Sequence, residues 1–284
     1  MRRALPLTCT LVLTLVCAAP AGARKPRPTY LALGDSVTFA YHDPQVTPTP
    51  NYRKASTFRG YAELVGSALH VRVVNAACPG ETSASLVNAS AQSNGCENSP
   101  GGSSFAYRKQ FPLHVKYRGS QLSFAVSFLR NHPRTRLVSL MVGANDLFLC
   151  QTTTSDACLS QSEQDATFAR IRRNVRTIVS TIRRKAHYRG QLVLVRYYSL
   201  DYTSAFINGI SRKLNSAVAA GGKGFHVTIA DGYGQFKAGA AQSGGKSCEA
   251  GLLDQLGHPG SCGVHPSYSG HSLLALAVER VVRR

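Results

Sequence analysis

The sequence predicts an α/β fold, a three-layer α/β/α sandwich around a mainly parallel five-stranded sheet, and three observations carry that prediction. Short apolar runs alternate with longer stretches of helical spacing, the pattern left by parallel strands joined through crossover helices. The run Leu137-Val138-Ser139-Leu140-Met141-Val142 is almost continuously apolar, as a strand covered on both faces must be. Three successive apolar runs also stop abruptly at turns of small or polar residues: Gly34-Asp35-Ser36, Cys78-Pro79-Gly80 and Gly143-Ala144-Asn145-Asp146. In open parallel sheets ligands gather beyond the carboxyl ends of the strands.

Residues 1–23 read as a secretory leader. Arg2 and Arg3 open it, Leu7 to Ala19 is apolar, and Ala21-Gly22-Ala23 is a small-residue cleavage pattern. The apolar run falls well short of the ~20 residues a spanning helix requires. A secreted, extracellular chain starting at Arg24 is expected, with residues 24–284 forming one domain and a monomer.

A first strand follows over Tyr30–Leu33 and runs into the Ser36 turn. Pro44, Pro48 and Pro50 make residues 41–56 an irregular loop. Gly60–Leu69 has the spacing of a short helix, Val71–Asn75 that of a second strand, and Ser120–Arg130 that of a second helix. After the strand at Leu137–Val142, residues 150–158 read as a polar loop. Ser162–Lys185 is the longest helical stretch, with Phe168, Ile171, Val175, Ile178, Val179 and Ile182 on one face. Its other faces carry Arg170, Arg172, Arg173, Arg176, Arg183, Arg184 and Lys185; a solvated helix face is the plainer reading and anion binding the alternative. Gln191–Tyr197 and His226–Ala230 complete the strands. Between them Ser204–Ala220 is helical and closed by Gly221-Gly222. Residues 237–263 form a long loop, and Gly270–Val282 is the last helix.

Eight cysteines become six once Cys9 and Cys17 leave with the leader. An even number in an oxidising compartment, without a Cys-x-x-Cys pair, indicates disulfides rather than a metal site. Sequence does not fix the pairing. Sequential neighbours (Cys78 with Cys96, Cys150 with Cys158, Cys248 with Cys262) would each staple one local loop and are the expectation.

Removal of Arg2 and Arg3 leaves 31 basic against 14 acidic residues. Such an excess attracts an anionic surface or polymer, teichoic acid, anionic phospholipid or nucleic acid, without specifying the fold. No zinc-finger, helix-turn-helix or RNA-binding signature accompanies it, so specific nucleic-acid recognition is not expected.

The hydroxyl of Ser36 is a poor nucleophile unless a base takes its proton and donors hold the oxyanion formed by its attack. On its own Gly34-Asp35-Ser36 also fits an ordinary strand-end turn. Of nine histidines, His265 has the most suggestive context: it follows Cys262 by three residues and directly precedes the last helix, where a disulfide would hold a general base still. His258, His265 and His271 match no usual metal-ligand spacing.

With these residues assembled, the chain resembles the SGNH (GDSL) hydrolases. Gly34-Asp35-Ser36, Gly80 after Asn75-Ala76-Ala77-Cys78-Pro79, Gly143-Ala144-Asn145-Asp146 and His265-Pro266 stand in the order of that family's four blocks, from about Tyr30 to the C-terminus. The placing of the six cysteines is similar to the secreted actinobacterial lipases and esterases of the family. The resemblance implies a flavodoxin-like sheet, Ser36 as nucleophile and His265 as base. It also implies an oxyanion hole made by the Ser36 and Gly80 amides and the Asn145 side chain, with no metal or organic cofactor. The implied activity is carboxylic ester hydrolysis on an ester or lipid substrate, of lipase or esterase type. Phospholipase, carbohydrate acetylesterase and a non-catalytic cationic envelope-binding protein are the alternatives. The sequence departs from the family at Cys262, where an aspartate is usual. The main-chain carbonyl of Cys262 is the expected orienter of His265, and Asp254 the alternative. Asp35 and Asp146 are expected to hold turns through side-chain to backbone bonds. For Phe39, Leu147, Phe148 and Val264 core or loop packing is the plainer reading and the lining of an acyl groove the alternative.

Overall fold

The structure, a computed structural model, describes residues 27–258 and 260–283; the leader expected over residues 1–23 lies outside them. The chain alternates strand and helix as its patterning predicts. Strand β1 (Thr29–Gly34) leads through the one-turn helix α1 (Ser36–Phe39) and helix α2 (Tyr61–Ala68) to β2 (Arg72–Asn75). Helices α3 (Ser83–Val87), α4 (Tyr107–Gln110) and α5 (Gln121–Asn131) precede β3 (Thr135–Met141). Then come α6 (Ala144–Thr153), α7 (Gln161–Arg184), β4 (Gln191–Val195), α8 (Ala205–Gly222), β5 (Val227–Ala230) and α9 (Gly232–Gly239). A short hairpin-like pair, β6 (Leu253–Gln255) and β7 (Cys262–Pro266), leads into α10 (Tyr268–Glu279).

The five main strands form a sheet in the order β2-β1-β3-β4-β5, and every neighbouring pair is parallel. Helices α3, α5, α6, α7 and α8 pack together as one layer, and α2, α9 and α10 as another, which gives the α/β/α sandwich. β1 is buried along its whole length and β3 at all but Arg136, as strands covered on both faces require. The connection from β1 leaves through α2, whereas the return to β3 passes through α5 in the other layer. This divergence opens a crevice beyond the carboxyl ends of β1 and β3, the place where such sheets bind ligands.

The apolar stripe of α7 is buried as its spacing predicts, from Phe168 to Ile182. Burying each of its Ile and Val side chains contributes about 1.5–3 kcal/mol. Gly221 and Gly222, expected to close α8 after Ala220, are its last two residues. A Cβ would stand 2.7 Å from Val175 Cβ at Gly221 and 2.6 Å from Leu194 at Gly222, so these glycines let α8 pack closely on α7 and β4.

Two loops are better ordered than the sequence suggests. Residues 150–158 begin inside α6, which starts directly after Gly143 and carries Asp146 in its first turn, where a negative charge suits the helix dipole. Residues 237–263 contain β6 and run into β7, which pair antiparallel. The disulfides join Cys78 to Cys96, Cys150 to Cys158 and Cys248 to Cys262, the sequential pairing. No helix of the described residues is long and apolar enough to cross a membrane.

Candidate active site

Ser36 is the first residue of α1. Gly34 ends β1 with φ +148°, and a Cβ there would come within 2.2 Å of the Met141 carbonyl, so only glycine lets the chain turn so close to β3. Asp35 caps α1 by accepting from the Val37 amide at 3.0 Å, and it also accepts a short hydrogen bond from the Tyr197 hydroxyl. The side chain of Gln121 holds the end of β1, accepting from the Gly34 amide (3.0 Å) and donating to its carbonyl (2.8 Å). Ser36 is therefore fixed at the sheet end with only its outer face open, at 9% exposure.

His265 sits on β7. The Cys248–Cys262 disulfide anchors the start of that strand and a hydrogen bond from Tyr198 to the Val264 carbonyl anchors its middle. Its Nε2 lies 3.1 Å from Ser36 Oγ, and its Nδ1 lies 3.1 Å from Asp43 Oδ2. A carboxylate only accepts, so Nδ1 carries the proton and Nε2 of the neutral ring accepts from the serine hydroxyl. The Tyr41 ring packs against the imidazole at 4.7 Å.

The group that meets His265 is thus neither of the two expected. Cys262 is three residues back along an extended strand, about 10 Å away at ~3.3 Å per residue, rather than in a tight turn, so its carbonyl does not serve the ring. Asp254, on β6, spends its carboxylate on His42 Nδ1 (2.8 Å) and the Asp43 amide (3.0 Å). It holds the Asp43 loop in place instead of reaching the imidazole. Gly263 makes room for this arrangement, because a Cβ there would stand 2.4 Å from Asp43 Oδ2. Asp43 follows Ser36 by only seven residues but lies in the proline-containing loop, where nothing local marks it.

Gly80 and Asn145 line the same cavity as Ser36 and His265. Gly80 has φ +82°, and a Cβ would lie 2.6 Å from the Asn94 carbonyl, so a side chain is excluded twice over. Asn145 Oδ1 accepts from Asn94 Nδ2 at 2.9 Å, which leaves its own amide N–H groups for other acceptors. Asp146, expected to hold a turn through side-chain to backbone bonds, accepts from the Ser83 amide and also from the Ser83 hydroxyl, both at 2.7 Å, tying α6 to the start of α3.

Behind this row lie buried acids that sequence polarity would have placed outside. Burial pushes the Asp35 carboxyl up to about 6 despite the Tyr197 bond. Burial also raises Asp146. It raises Glu81 well above the carboxylate range, with the neighbouring Glu97 adding to it, while Ser85 and Gln121 donate to the Glu81 carboxyl. His271, buried in α10 beside His42, is held well below its ordinary value by burial and then by that neighbour.

Asp43, Asp254 and His265 each bring a ligating atom within 4.8 Å of the others, but those atoms are already bonded to one another or to His42. Among the described residues His258, His265 and His271 do not converge as a ligand set.

The cavity at Ser36 has a volume of about 580 Å³ and runs between α6 and α8. Leu147, Phe148, Leu200, Phe206, Ile207, Ile210, Leu214 and Val264 line it. Three residues expected to be packing, Leu147, Phe148 and Val264, therefore face it, whereas Phe39 is fully buried against Phe58 and Tyr107. Chemically the arrangement offers a serine hydroxyl paired with an oriented imidazole at the mouth of an apolar cavity.

The profile of the GDSL-like Lipase/Acylhydrolase family matches residues 32–273. No curated protein matches the sequence. Among solved structures, phospholipase A1 from Streptomyces albidoflavus NA297 is similar with a TM-score of 0.56 and 19% identity, over 90% of this chain and 100% of that one. An acetylxylan esterase from Geobacillus stearothermophilus is similar with a TM-score of 0.53 and 16% identity, over 91% of this chain and 95% of that one. At these identities the likeness is one of fold.

Proposed function

The chain belongs to the GDSL-like lipase/acylhydrolase family, and on that premise we propose that it cleaves carboxylic esters through an acyl-enzyme formed on Ser36. His265 Nε2 takes the Ser36 proton as Oγ attacks the acyl carbon, and returns it to the departing alcohol when the tetrahedral adduct collapses. Water then repeats the sequence to free the acid. Asp43 keeps the imidazole in the tautomer that can accept that proton and faces the imidazolium that forms. The Ser36 and Gly80 amides and the Asn145 side chain donate to the oxyanion, where one such donor is worth roughly 2.7–4 kcal/mol. The observation that carries this reading is the line of contacts Ser36 Oγ to His265 Nε2 to Asp43 Oδ2, each 3.1 Å, opening on one cavity.

The substrate is an ester of a medium or long acyl chain, of lipase or phospholipase type. The apolar walls supplied by α6 and α8 support this over an acetyl ester, which would leave most of that surface unfilled. Action outside the cell fits the three disulfides.

The test is hydrolysis of p-nitrophenyl acetate, butyrate, octanoate and laurate by the wild type and by Ser36→Ala. The expected result is a preference for octanoate or laurate over acetate and a loss of roughly 10⁴-fold or more in kcat on substitution. Equal activities would reject Ser36 as nucleophile, and a preference for acetate would reject the lipid reading.

A further inference from the structure

The active-site crevice lies beyond the carboxyl ends of the strands; the opposite end of the sheet has a different character. There the helices α2, α5, α7, α8 and α10 end, and the strands begin. The segments that meet at this end are 27–28, 70–72, 130–136, 183–189, 223–226 and 279–283. They hold twelve lysines and arginines against one carboxylate, Glu279, although the whole chain has 14 acidic residues. Hydrogen bonds stitch them into one face. The Arg183 guanidinium donates to the carbonyls of Tyr188 (3.0 Å), Gly190 (2.7 Å), Phe225 (3.0 Å) and His226 (2.9 Å). Arg130 donates to the Lys185 carbonyl at 2.9 Å, and Gln191 to the Val281 carbonyl at 2.7 Å. None of the ion pairs among the described residues involves these segments.

Compensation of helix dipoles is the ordinary reason for cations at helix carboxyl ends. It does not account for this face. Five such ends supply about half a negative charge each, roughly 2.5 in all, against an excess of eleven cations. Arg72, Arg134, Arg136 and Arg189 moreover stand at or before strand starts and not in a last helical turn.

One part of the face is concave. Arg27, Arg72 and Arg134, with Asn131 and His132, surround a hollow of about 580 Å³ whose lining contains no acid. It is held by backbone bonds from the Arg72 amide to the Pro28 carbonyl (2.9 Å) and from the Thr29 amide to the Arg134 carbonyl (3.3 Å). Guanidinium forks match phosphate oxygens two at a time.

We propose that this face binds a linear polyanion with repeated phosphate groups, one phosphate seated between Arg27, Arg72 and Arg134, leaving the Ser36 crevice turned to the opposite side. The face lacks what other anionic partners use. None of the exposed large apolar side chains of the described residues, such as Phe206 or Leu159, falls in these segments, so nothing there inserts into a bilayer. The tyrosine and phenylalanine of these segments, Tyr188 and Phe225, are buried, so neither is offered as a stacking platform to nucleic-acid bases. The active site and the polyanion face are about 20 Å apart along β3, seven residues at ~3.3 Å each. Binding at one leaves the other open.

The experiment is titration of the full chain with long-chain inorganic polyphosphate at about 50 mM salt, followed by fluorescence anisotropy. The wild type is compared with Arg72→Ser/Arg134→Ser/Arg184→Ser/Arg189→Ser and with a control that removes the same charge elsewhere, Arg53→Ser/Lys54→Ser/Lys109→Ser/Lys237→Ser. The face variant is expected to bind about tenfold or more weakly and the control less than about threefold, and wild-type binding is expected to collapse as salt rises to about 200 mM. Hydrolysis of p-nitrophenyl butyrate, unchanged in both variants, reports that they are folded. Equal weakening in the two variants would overturn the proposal in favour of net charge alone. Tighter binding to phosphatidylglycerol vesicles, or to single-stranded DNA, than to polyphosphate would overturn it in favour of a membrane or a nucleic acid, and absence of wild-type binding would end it.

Discussion

Asp43 Oδ2 and His265 Nδ1 lie 3.1 Å apart, although 222 residues separate them in the chain. The contact joins the loop after the first strand to the small β6–β7 sheet, and two further residues maintain it. Asp254 holds the Asp43 amide from behind, and Gly263 leaves the space into which the Asp43 carboxylate projects. A carboxylate in this place fixes the ring tautomer that pairs with Ser36.

Substituting Asp43 by Asn replaces an acceptor-only carboxylate with an amide that can also donate to Nδ1, so this tautomer is no longer selected. Asp43→Asn is expected to lower kcat by roughly 10²–10⁴-fold, with KM little changed. Asp254→Asn acts only through the loop and is expected to cost less. Gly263→Ala pushes the Asp43 carboxylate aside and is expected to resemble Asp43→Asn in its pH–rate profile. Steady-state kinetics of the three variants on one p-nitrophenyl ester decide the matter: a larger loss for Asp254→Asn than for Asp43→Asn would move the orienting role to the buried residue.

The Asn145 amide is oriented by Asn94, which donates to its oxygen. Asn145→Ala is expected to reduce kcat by roughly 10²–10³-fold, as loss of one oxyanion donor does. Asn94→Ala leaves the donor in place but free to turn, so a smaller loss in kcat is expected, again with KM nearly constant. If Asn94→Ala raised KM alone, Asn94 would be a substrate contact and not a support for its neighbour.

Ile210 and Leu214 line the cavity from α8, and Leu147 and Phe148 from α6. Filling that space distinguishes an acyl site from a coincidental cleft. Ile210→Trp is expected to lower kcat/KM for p-nitrophenyl laurate at least about tenfold while sparing the acetate, since each buried methylene contributes about 0.8 kcal/mol. A uniform loss across chain lengths would mean that the acyl chain lies elsewhere.

The four positions Ser36, Gly80, Asn145 and His265 were legible because each is announced locally. Three follow an apolar run that stops at a turn, and the fourth lies between a cysteine and a helix. Asp43, Asp254 and Gly263 have no such signal, as their roles arise only when the loop over residues 41–56 folds against β6 and β7. Helix α9 was hidden by Gly232, Gly234 and Gly239, which lower helix propensity, and α6 by the threonines and cysteine at its end. The paired glycines of α8 read only as a terminator because the crowding that requires them comes from α7 and β4. Glu81 and Gln121, polar in sequence, are fully buried and support the row of strand ends, a placement that polarity patterns alone argue against.

The buried carboxyl of Asp35 links the site to stability. Burial, only partly offset by the Tyr197 and Val37 hydrogen bonds, lifts it from 3.8 to about 6. Between those two values the folded chain binds more protons than the unfolded chain, so stability falls as pH rises through that window. The whole effect is on the order of 3 kcal/mol, at about 1.4 kcal/mol per pH unit of displacement. Asp35→Asn cannot ionise and escapes this loss, whatever constant change follows from altering the bonds to Tyr197 and Val37. His271 acts in the opposite direction: it is buried neutral, and the stability it supports is lost as pH falls below its ordinary 6.5, but it does so in both proteins and cancels in the comparison. Urea unfolding of wild type and Asp35→Asn at about pH 4 and about pH 7 is therefore expected to shift the stability difference toward the variant at the higher pH. A difference that stayed constant between the two conditions would mean that Asp35 ionises in the folded protein as easily as in the unfolded chain, and that the polar groups around it fully replace the water it lost.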